Sequence, residues 1–442
     1  MEYNDPIIPD KCIQKTKKNW KYKKISDVAS FVRGFSYKGS EKNIESGKYL
    51  FVTLNSIKEG GSFKREFCYI ISDRLKEKNF VKQGEIVIAN TEQSKDGSLL
   101  GSPAIVEFPN SYNVDRAVFS HHITKIKIED DTNKDFLYYF LIFNQKKAVL
   151  YSTGSVVWAL DIESWSKNEL IPVPPLNEQK AIAKILSDLD SKIELNQKMN
   201  KTLEAIAQAI FRNWFIDFEF PNEEGKPYKS SGGEMVDSEL GEIPMSWEVK
   251  RIKDLCISIE NGGTPKRMEK KYWNGEINWF KTGELNDRPL TDSAEKITRE
   301  GLMNSSCKLW KINTILIALY ASPTVGRLGL LKVDGASNQA CSGLVAKDEI
   351  GYPYLFYTLF FKRDELNNIA TGAAQQNISQ EIIKESVCIQ PPLKLLDNFN
   401  WMVSRLIDRQ TLLAKEQATL SNIRDSILPK LLTGKIRAPL EG

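Results

Sequence analysis

Histidine is nearly missing from this 442-residue chain: His121 and His122 are the whole complement, and they are adjacent. So little imidazole leaves scant material for His-based acid–base catalysis or a His-rich metal centre. The six cysteines (Cys12, Cys68, Cys256, Cys307, Cys341 and Cys388) form no Cys-x-x-Cys pair. That pattern points to reduced thiols in a cytoplasmic protein and against a structural zinc. The longest apolar runs, such as Phe136 to Phe143, span about eight residues against the roughly 20 of a membrane-crossing helix, and no signal pattern stands at the N-terminus. Catalytic signatures are missing as well. Gly47-Lys48, Gly225-Lys226 and Gly434-Lys435 are followed by Tyr, Pro and Ile, so no phosphate-binding Gly-Lys-Ser/Thr loop exists. Neither G-x-G-x-x-G, G-x-S-x-G, H-E-x-x-H nor the Asn-Pro-Pro-aromatic tetrapeptide of amino-methyltransferases occurs. These absences describe a binding device.

What is present is ordinary globular composition, 41% hydrophobic and 27% charged, in a chain long enough for two or three domains. The net charge of +4 is unevenly spread: residues 1–172 sum to +4, 173–246 to −5, 247–390 to +2 and 391–442 to +3. Two mildly basic modules flank an acidic segment, a distribution that permits nucleic-acid binding without demanding it.

The chain also repeats itself. Trp20-Lys-Tyr-Lys-Lys-Ile25-Ser-Asp27-Val28 matches Trp247-Glu-Val-Lys-Arg-Ile252-Lys-Asp254-Leu255. Ile86-Val-Ile-Ala89 parallels Ile315-Leu-Ile-Ala318, both reading as buried strands, and Phe136-Leu-Tyr-Tyr139 parallels Tyr354-Leu-Phe-Tyr357. Each half then reaches a Pro-Pro-Leu, at Pro174 and Pro391, after which glycine and proline nearly vanish. Apolar residues follow at alternating three and four spacing: Ile182, Leu186, Leu189, Ile193, then Leu203, Ala207 and Ile210. The second copy offers Phe399, Val403, Leu406, then Leu413, Leu420 and Ile427. The spacing predicts two helices, the first from about Asn177 to Asn213, roughly 55 Å long, each with a heptad stripe that the other can cover. Polar residues recurring on the stripe, such as Asn200 and Gln417, are read as register positions. Phe220 to Glu242, rich in Glu, Gly, Ser and Lys, reads as a linker loop.

This plan resembles the DNA-specificity subunit of type I restriction-modification systems. The resemblance is carried by the paired Trp motifs, by Gly263-Thr264-Pro265 with Tyr272-Trp273 through Gly283, by Thr371 to Ser379, by Val173-Pro-Pro-Leu-Asn-Glu-Gln179, and by Ile427 to Arg437. Module one departs from it, having Gly34-Phe-Ser-Tyr in place of Gly-Thr-Pro. The resemblance implies an α/β (α+β) architecture with two globular target-recognition domains joined by two long antiparallel coiled-coil-like helices. Its parts are target-recognition domain 1 (1–172), a central helix (173–220), a linker (221–246), target-recognition domain 2 (247–390), and a distal helix with tail (391–442). It further implies a non-catalytic subunit that recognises an asymmetric bipartite target in double-stranded DNA. Two methyltransferase subunits carrying S-adenosylmethionine and two restriction-translocase subunits using ATP and Mg would gather on it. No cofactor belongs to this chain itself.

Base reading calls for Arg or Lys toward guanine and Asn or Gln toward adenine. Candidates in module one are Lys64, Arg65, Gln93, Ser94, Lys95 and Arg116. In module two they are Lys266, Arg267, Lys281, Tyr320, Ser322, Arg327, Asn338, Gln339, Gln375, Gln376 and Asn377. The polar tips Asn90 to Gly97 and Tyr320 to Arg327 follow short strands, where binding residues concentrate. The adjacent histidines are expected to split into one core and one surface residue. Trp158, Trp165, Trp279 and Trp310 read as core. Phe211, Trp214, Phe215 and Phe218 suggest an aromatic partner surface for the methyltransferase, whose exposure would make the isolated chain poorly behaved. Two rival readings stand beside this one: a self-contained nuclease or methyltransferase fragment with a carboxylate active site, and a protein-interaction scaffold with vestigial readers.

Overall fold

The two ends of each module are zipped together, which explains why the Trp motif and the proline pair recur as a set. In the computed structural model, residues 20–92, 97–129, 132–320, 324–371 and 377–439 are described. Strand Lys21–Lys24 runs antiparallel to Leu170–Val173, and Glu248–Arg251 to Val387–Gln390. Four helices organise the rest: α1 (Lys134–Ala148), α2 (Leu176–Phe215), α3 (Tyr352–Phe361) and α4 (Leu393–Leu432). Helices α2 and α4 are the two expected from the heptad stripes, each 40 residues long.

The chain divides into two compact units, Met1–Lys192 with Leu420–Gly442, and Ile193–Thr419. The division passes through both long helices because each module packs on segments of both. In the first unit Ile182, Ala183 and Leu186 of α2 share a core with Leu431 and Leu432 of α4 and with module one. In the second, Ala207, Phe211 and Phe215 of α2 share one with Phe399, Val403 and Ile407 of α4 and with module two. Within each unit the helix segments run antiparallel. Asp190 accepts from Arg424 at 2.8 Å in the first. In the second, Asn196 donates to Glu416 at 2.9 Å and Gln410 to Glu204 at 3.0 Å.

Each module has its own copy of one antiparallel sheet plan. In module one its order is Ala29–Arg33, Ile123–Ile128, Ile86–Ala89, Pro103–Ile105. In module two it is Cys256–Asn261, Cys341–Ala346, Ile315–Ala318, Leu328–Leu331, with Arg288–Leu290 added in parallel. The strands read as buried are buried on both faces. Ile86 and Ile88 face α1, whereas Val87 and Ala89 face the opposite core, as the two-residue period of a strand requires. Helices α1 and α3 are buried nearly all round, as their uninterrupted apolar sequences demand. Each is tied to α2 by a tyrosine: Tyr139 donates to Asp190 at 2.8 Å and Tyr357 to Glu204 at 3.1 Å. The modules diverge in a second sheet, five-stranded in module one and three-stranded in module two, where their sequences differ most.

Two expectations are corrected. Phe211, Phe215 and Phe218 are no partner surface, being only 4–8% exposed, and Trp214 is half-buried against the same core. Phe215 packs on Tyr354, Phe399 and Trp247 because α2 ends beneath module two, so the reason for poor behaviour of the isolated chain falls with it. The segment read as a linker loop contains an antiparallel hairpin, Met235–Ser238 with Gly241–Pro244. Its Ile243 is buried and Met235 and Val236 pack on the second unit's core.

Candidate nucleic-acid interface

One backbone frame is built twice at the corner where the chain passes from one sheet of a module to the other. In module one Gly34 N–H donates to Ile123 and Phe35 N–H to Phe119; in module two Gly262 donates to Cys341 and Gly263 to Ser337. The approach is close enough to require glycine. A Cβ on Gly34 would stand 2.2 Å from the Ser120 carbonyl oxygen, and one on Gly262 2.3 Å from that of Asn338. Beside this corner, Asn90 N–H donates to His122 and Leu319 N–H to Ala340, opening the polar tip of each module. The tips return through Gly101 and Gly326, both at φ 75° and donating to Ala89 and Ala318. Leu160 and Ile378 close the frame on Asn90 and Leu319. The register therefore sets His121 against Gln339, Thr91 against Tyr320 and Ala159 against Asn377.

This frame gathers part of the expected set. In module two the Tyr320 hydroxyl donates to the Gln339 carbonyl at 2.8 Å, and the Thr264 hydroxyl donates to the Gln339 side chain. Asn338 lies in the same turn, and Asn377 immediately precedes the closing Ile378. Arg327 follows the turn glycine Gly326, Lys266 is exposed two residues beyond Thr264, and Lys281 follows Phe280, whose carbonyl accepts from Asn338 N–H. Arg267 lies over the Trp273 ring at 3.9 Å. Gln93, Ser94, Lys95, Ser322, Gln375 and Gln376 lie outside the described residues.

Module one behaves differently. Arg116 is at the opposite end of its strand from the corner, paired with Glu77 at 2.9 Å. Arg65 pairs at 2.6 Å with Glu107, beyond the far end of strand Pro103–Ile105, and Lys64 adjoins it. Those three do not join the frame. Its rim in module one is formed instead by Arg33, Tyr37, Thr91 and both histidines. Arg33 donates to the His121 carbonyl at 3.3 Å, Tyr37 packs on His121, and Thr91 Oγ1 is 2.8 Å from His122 Nδ1. Only the match of Gly34 to Gly262 and of His121 to Gln339 would have revealed them from sequence. The tip is anchored from inside: the buried Glu92 carboxylate accepts from Leu100 N–H at 2.8 Å, and Gln145 donates to the Leu100 carbonyl at 2.6 Å. Trp165, Trp279 and Trp310 are core, while Trp158 is only half-buried.

The two histidines do not divide into core and surface. Both are half-buried with ring centroids 3.9 Å apart. Burial is the main force holding both below the ordinary histidine value, helped for His122 by His121 and for both by Arg33. Neutral imidazoles present one donor and one acceptor each, which suits base edges better than phosphates. Folded-state values below the unfolded one mean that the unfolded chain binds more protons as pH drops below about 6.5. The part of the stability linked to these two groups is therefore full above that pH and is lost as pH falls toward their folded-state values. The melting midpoint is expected to fall between pH 7 and 5.5, and H121Q/H122Q is expected to flatten that slope; an equal slope in the variant would refute the assignment.

Comparison with known proteins bears on the family and the fold. The profile of the family described as "Type I restriction modification DNA specificity domain" matches residues 17–205 and 244–395. The chain is similar to the MjaIX specificity subunit of Methanocaldococcus jannaschii, 27% identical over 96% of this chain and 95% of that protein. It is also similar to the EcoKI specificity subunit of Escherichia coli, 23% identical over 96% and 90%. Among solved structures, the type I restriction-modification S subunit of M. genitalium shares the fold, with a TM-score of 0.60 at 15% identity over 95% of this chain and 98% of that one.

Proposed function

Because the chain belongs to the DNA-specificity family of type I restriction-modification systems, we propose that it reads an asymmetric, bipartite duplex target and directs adenine methylation there. Module one contacts one half-site and module two the other. The observation that carries this reading is a shared frame with unshared side chains: His121, His122 and Thr91 stand in one copy where Gln339, Ala340 and Tyr320 stand in the other. Like frames bearing unlike donors and acceptors select unlike half-sites, and paired helices leave a spacer that is not read. The chain contributes no catalytic group. Methyl transfer from S-adenosylmethionine belongs to two methyltransferase subunits, and ATP- and Mg-dependent restriction to two restriction-translocase subunits where they are present.

With the aromatic cluster buried, methyltransferase docking is better assigned to exposed apolar residues that recur at the 217-residue offset of the repeat. Leu195 and Leu412 are 50% and 60% exposed, and Ile206 and Ile423 are 43% each. Duplicated positions suit two copies of one partner. L195D/L412D is expected to leave melting unchanged and abolish co-purification of the methyltransferase subunits; retention of the full complex would refute the assignment.

The function is tested by mapping methylated adenines in the host with and without this gene. Loss of one asymmetric bipartite motif on deletion is the expected result. An unchanged map while the partner methyltransferase is expressed would overturn the reading.

A further inference from the structure

Within module two, two of the cations expected to meet DNA are already occupied by one carboxylate. Glu295 accepts from Lys281 Nζ at 2.8 Å through one oxygen and from the Arg267 guanidinium through the other. The three residues come from separate stretches of chain. Glu295 opens strand Glu295–Ile297 opposite Trp279, Lys281 follows strand Trp273–Phe280, and Arg267 extends from the Gly-Thr-Pro loop. The arrangement is built on a firm platform: Arg267 lies 3.9 Å from the Trp273 ring centroid and 4.8 Å from that of Trp279. Trp279 is itself fixed by donating its indole N–H to the Gly263 carbonyl at 2.9 Å. Arg267 is 50% and Lys281 40% exposed, so both stay within reach of an incoming anion.

We propose that Glu295 is an internal stand-in for a DNA phosphate, masking Arg267 and Lys281 until a duplex displaces it, and thereby holds down binding to unrelated sequence. The inference rests on the reading of module two as a DNA reader. A carboxylate presents two oxygens to these donors much as a phosphate does, so exchange needs no rebuilding of the platform. Displacement leaves Glu295 unpaired beside the phosphate backbone, a cost imposed on every duplex alike. Only a duplex that also satisfies the base-reading rim offsets it, so the carboxylate leaves the ratio of specific to non-specific affinity unchanged but lowers the occupancy of unrelated sequence, where no rim contact makes up the loss. Glu295 is a positioning residue in this scheme and touches no base.

The test measures binding of the complex with its methyltransferase partners to a 40-base-pair mixed-sequence duplex across a range of salt concentrations. Glu295→Gln is expected to bind about tenfold more tightly than wild type. Its plot of log affinity against log salt should be steeper by about one, because a displaced carboxylate otherwise takes up one counterion. In an R267A/K281A background, Glu295→Gln is expected to change nothing. An equal gain in that background would mean a general charge effect and would overturn the masking role, as would no gain in the single variant. If R267A/K281A weakens binding while Glu295→Gln is silent, module two still reads DNA and only the masking fails. If none of these variants alters binding, this face of module two does not meet DNA and both readings of it fail. Glu295→Asp, which keeps the charge but shortens its reach, is expected to fall between wild type and Glu295→Gln, and an unchanged melting midpoint shows that the platform is intact.

Discussion

Arg437→Ala is expected to cost the first unit about 2–4 kcal/mol, although the arginine is itself half-exposed. Glu178, near the start of α2, has a side chain only 3% exposed. Its carboxylate accepts from the Arg437 guanidinium at 2.8 Å and from the Trp20 indole at 3.0 Å, while Arg437 lies over the Trp20 ring. Removing the guanidinium leaves a buried carboxylate with, among the described residues, only the indole to hold its side chain, and an uncompensated buried charge is far more costly than the pair is favourable. The second copy supplies the control. At the repeat-equivalent positions stand Leu395 and Phe220, with Phe220 5.1 Å from the Trp247 ring, and Trp247 Nε1 is buried with no hydrogen-bond partner among the described residues. E178L/R437F should therefore recover most of the loss, because replacing both partners by apolar groups removes the charge along with its need for a partner. Urea unfolding of the full chain measures all three proteins. A loss under about 0.5 kcal/mol in Arg437→Ala would show that water, and not the guanidinium, solvates Glu178.

Substitution of Gln339 is expected to change one half of the DNA target and leave the other untouched. Gln339 stands at the module-two corner, held by Thr264, at the position equivalent to the one His121 fills in module one. A good bidentate amide–base contact is worth about 1–3 kcal/mol of discrimination, so Gln339→Ala should lower affinity roughly tenfold to a hundredfold and relax one position of the motif. Gln339→Glu replaces the amide donor by an acceptor and should shift that position toward cytosine. Lys266→Ala offers the contrast: removing a lysine proposed to meet phosphate is expected to weaken binding to all sequences alike, lower the salt slope by about one, and leave the motif intact. Methylation maps of the three variants decide between these outcomes. A motif unchanged by both Gln339 substitutions would remove this residue from the reading set.

The parts that were legible in the sequence are the ones whose signal is local. A heptad stripe repeats every three or four residues whatever it packs against, so α2 and α4 emerge within a few residues of their observed ends. Ile86 to Ala89 and Ile315 to Ala318 are short, β-branched-rich runs that are apolar without interruption, as strands buried on both faces are. The repeat announces itself because each Trp motif must pair with the strand before its own Pro-Pro.

The candidate reading residues were legible only in part. Arg65 and Arg116 look like DNA contacts in isolation, yet their partners Glu107 and Glu77 lie 42 and 39 residues away in the chain. Conversely, Thr91, His121 and His122 join the rim because Gly34 lets two strands touch at residues 119–123, a contact that no nearby residue foretells. The aromatic run from Phe211 to Phe218 misleads for the same reason: burial depends on what docks, and the docking partners Tyr354, Phe399 and Trp247 are drawn from three distant stretches.

Sequence alone therefore determined the duplicated plan, the paired helices, the absence of readable catalytic motifs and the family, all of which rest on periodicity, spacing and order along the chain. Tertiary structure alone decided which polar side chains share the sheet corner, which cations are already neutralised by Glu77, Glu107 and Glu295, and which apolar residues remain uncovered on α2 and α4. Those outcomes are set by strand register and by charge pairs closed across long stretches of chain, and a linear pattern carries no record of either.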